Sequence, residues 1–275
     1  MRFFIFGEYM ARIFALLLLL CSSLVGTETI LVSVSAYQGL VQELVGEHTE
    51  VLSVVPEGVD LHSFEPTPRH VEKLAKASIW FTIGEPFEER VHLALPQIST
   101  VDLREGIELI QEKECVHLSG ADPHIWTNPK LMLEQLETIY NALKQLISLE
   151  RYEKVRSDVE ALAKECDELL QEAKGSVIVI AHGAYTYLCH EYGIEQLSLE
   201  YGEKEPTLAT LQELLIKAKE HNVTTVFSLK TGSKKGINRV AELLHASIVE
   251  LDPLSSEYVE SMRVTVRAFH EAIHA

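Results

Sequence analysis

Short apolar runs and amphipathic stretches alternate along the chain after its first 26 residues. The runs are rich in β-branched residues and predict buried strands, while the stretches between them have apolar residues at helical spacing. The predicted strands are Ile30–Ser35, Val51–Val55, Ile79–Ile83, Thr100–Leu103, Val177–Ala181, Gln196–Leu199, Thr225–Leu229 and Ser247–Leu251. This alternation is typical of βαβ units, which favour parallel sheets with right-handed crossover connections.

A long helical segment separates the first four predicted strands from the last four. Its apolar spacing predicts a helix from Arg151 to Lys174, which Gly175 would end as a C-terminal cap. Such a helix of about 24 residues would span about 36 Å, more than one βα crossover needs. We therefore expect an α/β fold with an N-terminal lobe at 27–149, a connecting helix at 150–174 and a C-terminal lobe at 175–275.

The N-terminus has the pattern of a signal peptide. Arg12 precedes an apolar core of about eight or nine residues, which is too short to span a membrane. We expect residues 1–26 to be removed and the mature chain to be exported. Lipid modification of Cys21 is the alternative, which the bulky Leu20 before it disfavours, and Met10 is an alternative start.

Charge and cysteine content narrow the function further. The net charge of −17 argues against nucleic acid as a partner, because phosphate binding needs clustered basic residues. Negative charge also draws cations weakly, although solubility alone would explain it. Beyond the leader only Cys115, Cys166 and Cys189 remain, far apart and odd in number. They predict small buried side chains rather than a disulfide framework.

Three histidines and one aspartate, His62, His124, His182 and Asp252, suit a single transition metal. Each follows a predicted strand or lies at the start of a loop. Ligands of parallel α/β sheets bind beyond the carboxyl ends of the strands. Three neutral imidazoles and one carboxylate form a donor set that zinc accepts tetrahedrally. The sequence therefore predicts a metal site assembled from all four segments.

Neighbouring residues suggest supporting roles and competing ligands. Asp122 can accept the second ring N–H of a histidine and fix its tautomer, and Trp126 can shield the site from water. Asp252 could instead cap a helix. The closest competitors for a coordination position are Glu65 and Asp60, with Glu200 and Glu203 more remote. The segment 230–236 lacks the spacing of a phosphate-binding loop and predicts a solvated turn. We assign the remaining histidines to surface or core roles.

Together these segments resemble the zinc/manganese branch of the metal-binding solute-binding proteins of ABC importers. The residues that carry the resemblance are His62–Pro68 (HSFEPTP), Asp122–Pro129 (DPHIWTNP), Ala181–Tyr185 (AHGAY), Glu205-Pro206 and Leu251–Leu254 (LDPL). The resemblance implies two four-stranded α/β lobes joined by one long helix, with the metal between them. It also implies that two of the predicted ligands come from each lobe.

The resemblance also bears on the metal. In family members that resemble manganese carriers, a glutamate occupies the position of His182, whereas zinc carriers have histidine there. A third imidazole favours zinc, while Asp252 leaves manganese(II) or iron(II) open. The chain departs from many zinc carriers because it has no histidine-rich loop between His62 and His124. An accessory role in scavenging metal is therefore not expected.

We expect a monomeric periplasmic binding protein that captures Zn²⁺ and passes it to a membrane permease driven by a separate ATPase. One alternative is a zinc hydrolase, in which Asp252 does not ligate and Glu65 acts as the base. Another is an adhesin or surface protein that uses the metal only for stability. A carrier should release its metal, whereas a structural site should not.

Overall fold

The computed structural model describes residues 28–111, 120–200 and 207–275. The predicted signal peptide 1–26, with Cys21, lies outside the described residues, as do Cys115, Glu203 and the Glu205-Pro206 pair. Within the described part of the chain, no helix combines the length and the apolar character needed to cross a membrane.

Two four-stranded sheets, each parallel throughout, form the framework. The strands are β1 Thr29–Val34, β2 Glu50–Val55, β3 Ile79–Thr82, β4 Ser99–Asp102, β5 Val177–His182, β6 Glu195–Glu200, β7 Thr225–Leu229 and β8 Ser247–Leu251. Their spatial orders, β2-β1-β3-β4 and β6-β5-β7-β8, are the same in both sheets. The predicted α/β fold with two four-stranded lobes is confirmed.

Helices flank both sheets. They are α1 Gln38–Val45, α2 Pro68–Leu74, α3 Pro86–Ala94, α4 Pro129–Leu143, α5 Leu149–Leu170, α6 Thr186–Tyr192, α7 Leu208–Glu220, α8 Lys235–Leu244 and α9 Tyr258–His274. Helix α3 was not predicted, because its apolar face consists of little more than Phe87 and Val91. Side chains cap two of the helix starts: Thr67 accepts a hydrogen bond from the His70 amide, and Asn128 accepts one from the Lys130 amide.

The connecting helix is shorter than predicted. Helix α5 begins after Ser148, whose side chain accepts a hydrogen bond from the Arg151 amide, and it ends at Leu170. The prediction that it continues to Lys174 with Gly175 as its cap is wrong. Burial of Ala173 draws the chain into a turn, and the Gly175 amide instead donates to the Gly193 carbonyl at 2.8 Å. The turn aligns the chain with the start of β5.

Helix α5 joins the two lobes through an apolar core. Its buried face, which includes Val155, Val159, Leu162 and Cys166, recurs at three- and four-residue steps. It packs on α4, on α1 of the first lobe and on α9 of the second. One cluster of buried side chains runs from the first sheet across α5 to β5, β7 and α9. The lobes therefore share a core and are not tethered by a flexible linker.

Buried hydrogen bonds also cross between the lobes. The Trp126 indole donates to the Pro253 carbonyl at 2.8 Å, and the Tyr258 hydroxyl donates to the Trp126 carbonyl at 2.9 Å. The Ser35 hydroxyl donates to the Leu254 carbonyl. Such bonds are stronger in a low-dielectric interior and costly to break there. They fix the distance between the carboxyl edges of the two sheets.

At Gly39, helix α1 lies very close to the backbone of the second lobe. A Cβ at Gly39 would lie 2.1 Å from the Ser256 carbonyl oxygen, a backbone atom. We therefore expect Gly39→Ala to push the lobes apart and lower the free energy of unfolding by about 1–3 kcal/mol, the usual cost of overpacking. Urea denaturation of the metal-free protein measures this difference.

Gly236→Ala is the matched control, because Gly236 lies in helix α8 and a Cβ there meets no atom within 4 Å. The control should leave stability unchanged or raise it by up to about 1 kcal/mol, since alanine favours helix. Equal stability of the two variants would contradict the tight lobe contact at Gly39.

Candidate metal centre

Three of the predicted ligands, His62, His124 and His182, converge in the cleft between the lobes. Each offers a ring nitrogen, and these nitrogens all lie within 4.8 Å of one another. The Nε2 atoms of His62 and His182 are 2.9 Å apart. The ring centroids are separated by 4.6 Å for His62 and His182, 5.2 Å for His124 and His182, and 5.7 Å for His62 and His124.

This spacing fits a small metal ion. Zinc–imidazole bonds are about 2.0–2.1 Å long, so two nitrogens at tetrahedral corners lie about 3.3 Å apart. The observed separations, from 2.9 Å for one pair to at most 4.8 Å, bracket that value. The three side chains come from two different lobes and three different loops or strand ends. An ion held by all of them would therefore link the lobes.

His124 is held by a buried carboxylate. The Asp122 Oδ1 atom lies 2.9 Å from His124 Nδ1 and also accepts the His124 backbone N–H at 2.8 Å. A proton on Nδ1 leaves the lone pair on Nε2 available for a metal, which is the supporting role predicted for Asp122. The Tyr187 hydroxyl of the second lobe donates to the Asp122 carbonyl at 2.7 Å. The orientation of His124 thus depends on contacts from both lobes.

His62 lies in the loop after β2. Its backbone N–H donates to the Asp60 carboxylate at 3.0 Å, which shapes the turn. Leu61 and Phe64, on either side, are buried in the core of the first lobe. These two buried side chains anchor the loop, so the backbone that carries the half-buried His62 imidazole is fixed in place.

His182 is the last residue of β5. The Ala184 amide donates to the His182 carbonyl at 2.8 Å, so the chain turns sharply at Gly183. A Cβ at Gly183 would lie 3.2 Å from the Gln196 side-chain nitrogen, which is tighter than ordinary contact. The Gln196 side-chain oxygen accepts the Tyr185 amide at 3.0 Å. The glycine therefore allows this turn to pack against β6.

Asp252 is not among the side chains whose ligand atoms lie within 4.8 Å of one another. It follows β8 at the carboxyl edge of the second sheet, where its Oδ1 accepts the Leu254 amide at 3.1 Å. Its Oδ2 pairs with Lys230 Nζ at 2.8 Å. Asp252 does not cap α9, because Glu257 occupies the N-cap position. Its role as the fourth ligand stays a prediction.

A cleft of about 420 Å³ opens in front of the histidines. The fully buried Trp126 forms part of its wall, and its ring centroid lies 5.1 Å from that of His124. The rim includes Thr231, Gly232 and Ser233. The segment 230–236, predicted as a solvated turn, is thus also a border of the cleft.

Of the competing carboxylates, the two that the structure describes, Asp60 and Glu65, do not join the histidine group. Asp60 lines the cleft, but its Oδ1 accepts the His62 amide. Glu65 is exposed to solvent. Glu203 lies outside the described residues, and the side chain of Glu200 is not described. Among the histidines that the structure describes, the only group of three with metal-ligand spacing is His62, His124 and His182.

Sequence reasoning missed a buried carboxyl group beside the site. Glu85 follows β3 and is 3% exposed, and its Oε1 has no hydrogen-bond partner within the described part of the chain. Burial raises its pKa to about 8, partly offset by His124 and reinforced by Glu88 and Asp122. Its place at the carboxyl end of a strand, before Pro86, was a signal that could have identified it.

Both cysteines in the described residues are free and buried. Cys166 packs on the inner face of α5, and Cys189 lies in α6. Burial raises the pKa of both thiols. Neither belongs to the histidine group, and the prediction of small buried side chains is confirmed for these two residues.

Comparison with known proteins also indicates a metal-binding protein of two lobes. The family model described as zinc-uptake complex component A, periplasmic, matches residues 30–272. A putative metal-binding protein of Chlamydia muridarum is 30% identical over 87% of this chain and 90% of its own length. The crystal structure of ZnuA superimposes with a TM-score of 0.81 at 27% identity, over 90% of this chain and 100% of that one.

A more distant relative differs in the metal that its description gives. It is a manganese-binding lipoprotein of Halalkalibacterium halodurans, 24% identical over 87% of this chain and 86% of its own length. Metal binding is thus common to relatives that are described for different metals. Similarity at this level does not assign one metal to this chain.

The contact between Asp122 and His124 generates a prediction about metal affinity. In Asp122→Asn the side chain can present an N–H to the imidazole and disfavour the tautomer with a free Nε2 lone pair. We expect divalent metal affinity to fall by about 10- to 100-fold, the usual cost of losing such a supporting carboxylate. Competition against a chromophoric chelator measures the affinity.

Asp60→Asn is the control, because Asp60 accepts the backbone amide of His62, a bond that an asparagine side chain can also accept. It should weaken affinity much less than Asp122→Asn does. If both variants bind metal as tightly as wild type, the orienting role of Asp122 is wrong.

Proposed function

This chain belongs to the family of periplasmic zinc-uptake components, metal-binding solute-binding proteins of ABC importers, and we propose that it captures Zn²⁺ outside the inner membrane and delivers it to a membrane permease. The observation that carries the proposal is the convergence of His62, His124 and His182 from two lobes. In this proposal the ion is cargo, held between lobes and passed on.

The donor set is the argument for zinc. Imidazole nitrogen suits zinc better than manganese, which prefers carboxylate, carbonyl and water oxygen. Three imidazoles lie within reach of one ion, whereas the nearby carboxylates Asp60 and Asp122 are engaged with the backbone or ring of a histidine. A carrier of Mn²⁺ or Fe²⁺ is the alternative within the same family, and it would depend more heavily on an oxygen ligand.

We propose Asp252 as the fourth ligand. It stands at the carboxyl edge of the second sheet, as His182 does, and the Pro253 carbonyl beside it accepts the hydrogen bond of Trp126 in the cleft wall. Its carboxylate is 19% exposed and paired with Lys230, so ligation requires exchange of that partner for the ion. An aspartate would complete a four-coordinate site and offset one of the two positive charges of a divalent cation.

A hydrolytic function is less well supported. A catalytic zinc site needs an open coordination position and a base beside it. Glu65, the base considered from the sequence, is exposed, and the group of possible metal ligands in the described residues contains no carboxylate. The family consists of transport proteins, which agrees with a binding role.

The remaining parts of the proposal concern location and partners. We propose that the chain is periplasmic, released from its signal peptide as a monomer rather than anchored through Cys21. Its net charge of −17 does not suit nucleic acid, and it suits a cation as cargo. The permease of an ABC importer is the proposed protein partner, as in the family.

A metal titration tests the proposal. The mature chain 27–275, stripped of metal, should bind one Zn²⁺ per chain and bind it more tightly than Mn²⁺ or Fe²⁺. Removal of one of three imidazoles in His182→Ala should weaken zinc binding by more than about tenfold, or 1.4 kcal/mol. Competition titration with each metal, followed by calorimetry for stoichiometry, gives these values.

His48→Ala is the matched control, because His48 is exposed in the turn before β2 and does not belong to the histidine group. It should bind zinc as wild type does. Comparable or tighter binding of Mn²⁺ or Fe²⁺ by wild type would overturn the assignment of zinc. Absence of any single-site binding would overturn the carrier proposal itself.

A further inference from the structure

Lys230 holds the side chain proposed as the fourth ligand. Leu229 of β7 pairs with Leu251 of β8, and the Lys230 amide donates to the Leu251 carbonyl at 2.8 Å. Lys230 and Asp252 therefore follow directly opposite positions of neighbouring strands. The Lys230 ammonium lies 2.8 Å from Asp252 Oδ2. The Lys230 ammonium is thus already paired with one carboxylate oxygen of Asp252, the proposed fourth ligand.

Both oxygens of Asp252 are engaged. Oδ1 accepts the Leu254 amide at 3.1 Å, a bond within its own turn that ligation by Oδ2 need not disturb. Oδ2, by contrast, has Lys230 as its partner. A metal ion that uses Oδ2 must compete with the ammonium for the same oxygen.

A second carboxylate, that of Glu57, lies close enough to pair with the Lys230 ammonium if a metal ion displaces it from Asp252. Glu57 Oε1, in the loop between β2 and His62, lies 3.4 Å from Lys230 Nζ. Glu57 Oε2 lies 3.5 Å from the Ser256 hydroxyl, on the opposite lobe. Lys230 therefore sits between a carboxylate of its own lobe and one of the other. It can leave Asp252 without losing every counter-charge.

We propose that the Lys230 ammonium competes with the metal ion for the Asp252 carboxylate. This competition increases the preference of the site for ions that favour imidazole ligands over ions that favour carboxylate ligands. This inference rests on the proposed carrier function and on Asp252 as a ligand. Lys230 is a specificity-determining residue that acts through Asp252 and does not itself bind the ion.

The selectivity follows from the different dependence of the two kinds of ion on oxygen. Zinc can be held by three imidazoles before Asp252 is free, whereas manganese relies more on the carboxylate. The competition therefore penalises manganese more than zinc. Lys230 is 47% exposed, and ion pairs of that exposure are weak, so the pair tunes binding without blocking it.

The test compares the ratio of the Mn²⁺ and Zn²⁺ dissociation constants in wild type and in Lys230→Met. The full mature chain and chelator competition at pH 7.5 are used. We expect Lys230→Met to tighten Mn²⁺ binding more than Zn²⁺ binding and to lower the ratio roughly two- to fivefold, the range that such pairs contribute. Lys230→Gln provides a second neutral variant. Lys230→Arg keeps the positive charge and should therefore retain the wild-type ratio.

Two controls separate competition for Asp252 from a general effect of charge. Lys234→Met removes one positive charge from the same loop, where Lys234 pairs with Glu250. Loss of a distant charge favours both divalent ions equally, so this variant should leave the ratio unchanged. In an Asp252→Asn background, Lys230→Met should leave the ratio of the Mn²⁺ and Zn²⁺ dissociation constants unchanged.

An unchanged ratio in Lys230→Met and Lys230→Gln would overturn the inference, and so would an effect that persists in Asp252→Asn. Either result, in a wild-type protein that binds one zinc ion, leaves the carrier function intact. Failure of wild type to bind metal would instead remove the carrier function on which the inference rests.

Discussion

The fixed distance between two facing sheet edges is the constraint on which the site depends. His62 and His124 belong to one lobe and His182 to the other, so no single lobe contains the three nitrogens. Buried contacts of Trp126 with Pro253 and Tyr258 set that distance, together with the apolar face of α5. A shift of the lobes by an ångström or two would separate the nitrogens beyond the reach of one ion.

Buried contacts between the lobes also control how the imidazole of His124 is oriented. Tyr187 of the second lobe donates to Asp122 of the first, and Asp122 orients His124. Lobe position and imidazole orientation are therefore linked through buried polar groups, which are costly to leave unsatisfied. Glu57 of the first lobe and Lys230 of the second are by contrast about half exposed, and an ion pair so exposed is weak. The lobes are thus joined by strong buried contacts and by a weak exposed ion pair, a combination that suits an ion that must enter and leave.

Periodicity and local chemistry were sufficient to predict most of the framework. Apolar runs located the strands of both sheets, because this signal depends on adjacent residues. The end of α5 was misplaced because burial of Ala173, a tertiary effect, overrides the cap signal of Gly175. Helix α3 was missed because its apolar face is too narrow to stand out.

The site was predictable to a similar depth. Ligands of parallel α/β sheets bind beyond the carboxyl ends of the strands, which explains why His62, in the loop after β2, and His182, at the end of β5, could be grouped from the sequence. The contact of Asp122 with His124 was also foreseeable, since the two residues are close in sequence. The pairing of Asp252 with Lys230 and the burial of Glu85 could not be predicted from the sequence. The first depends on which residues the neighbouring strands place side by side, and the second depends on how the lobes pack.

X-ray absorption at the zinc edge of the zinc-loaded mature chain is the most direct test of the central claim, that imidazoles from both lobes hold one ion. The account predicts three imidazole nitrogens at about 2.0–2.1 Å and one oxygen ligand. A shell with one imidazole or none, or with sulfur, would contradict it.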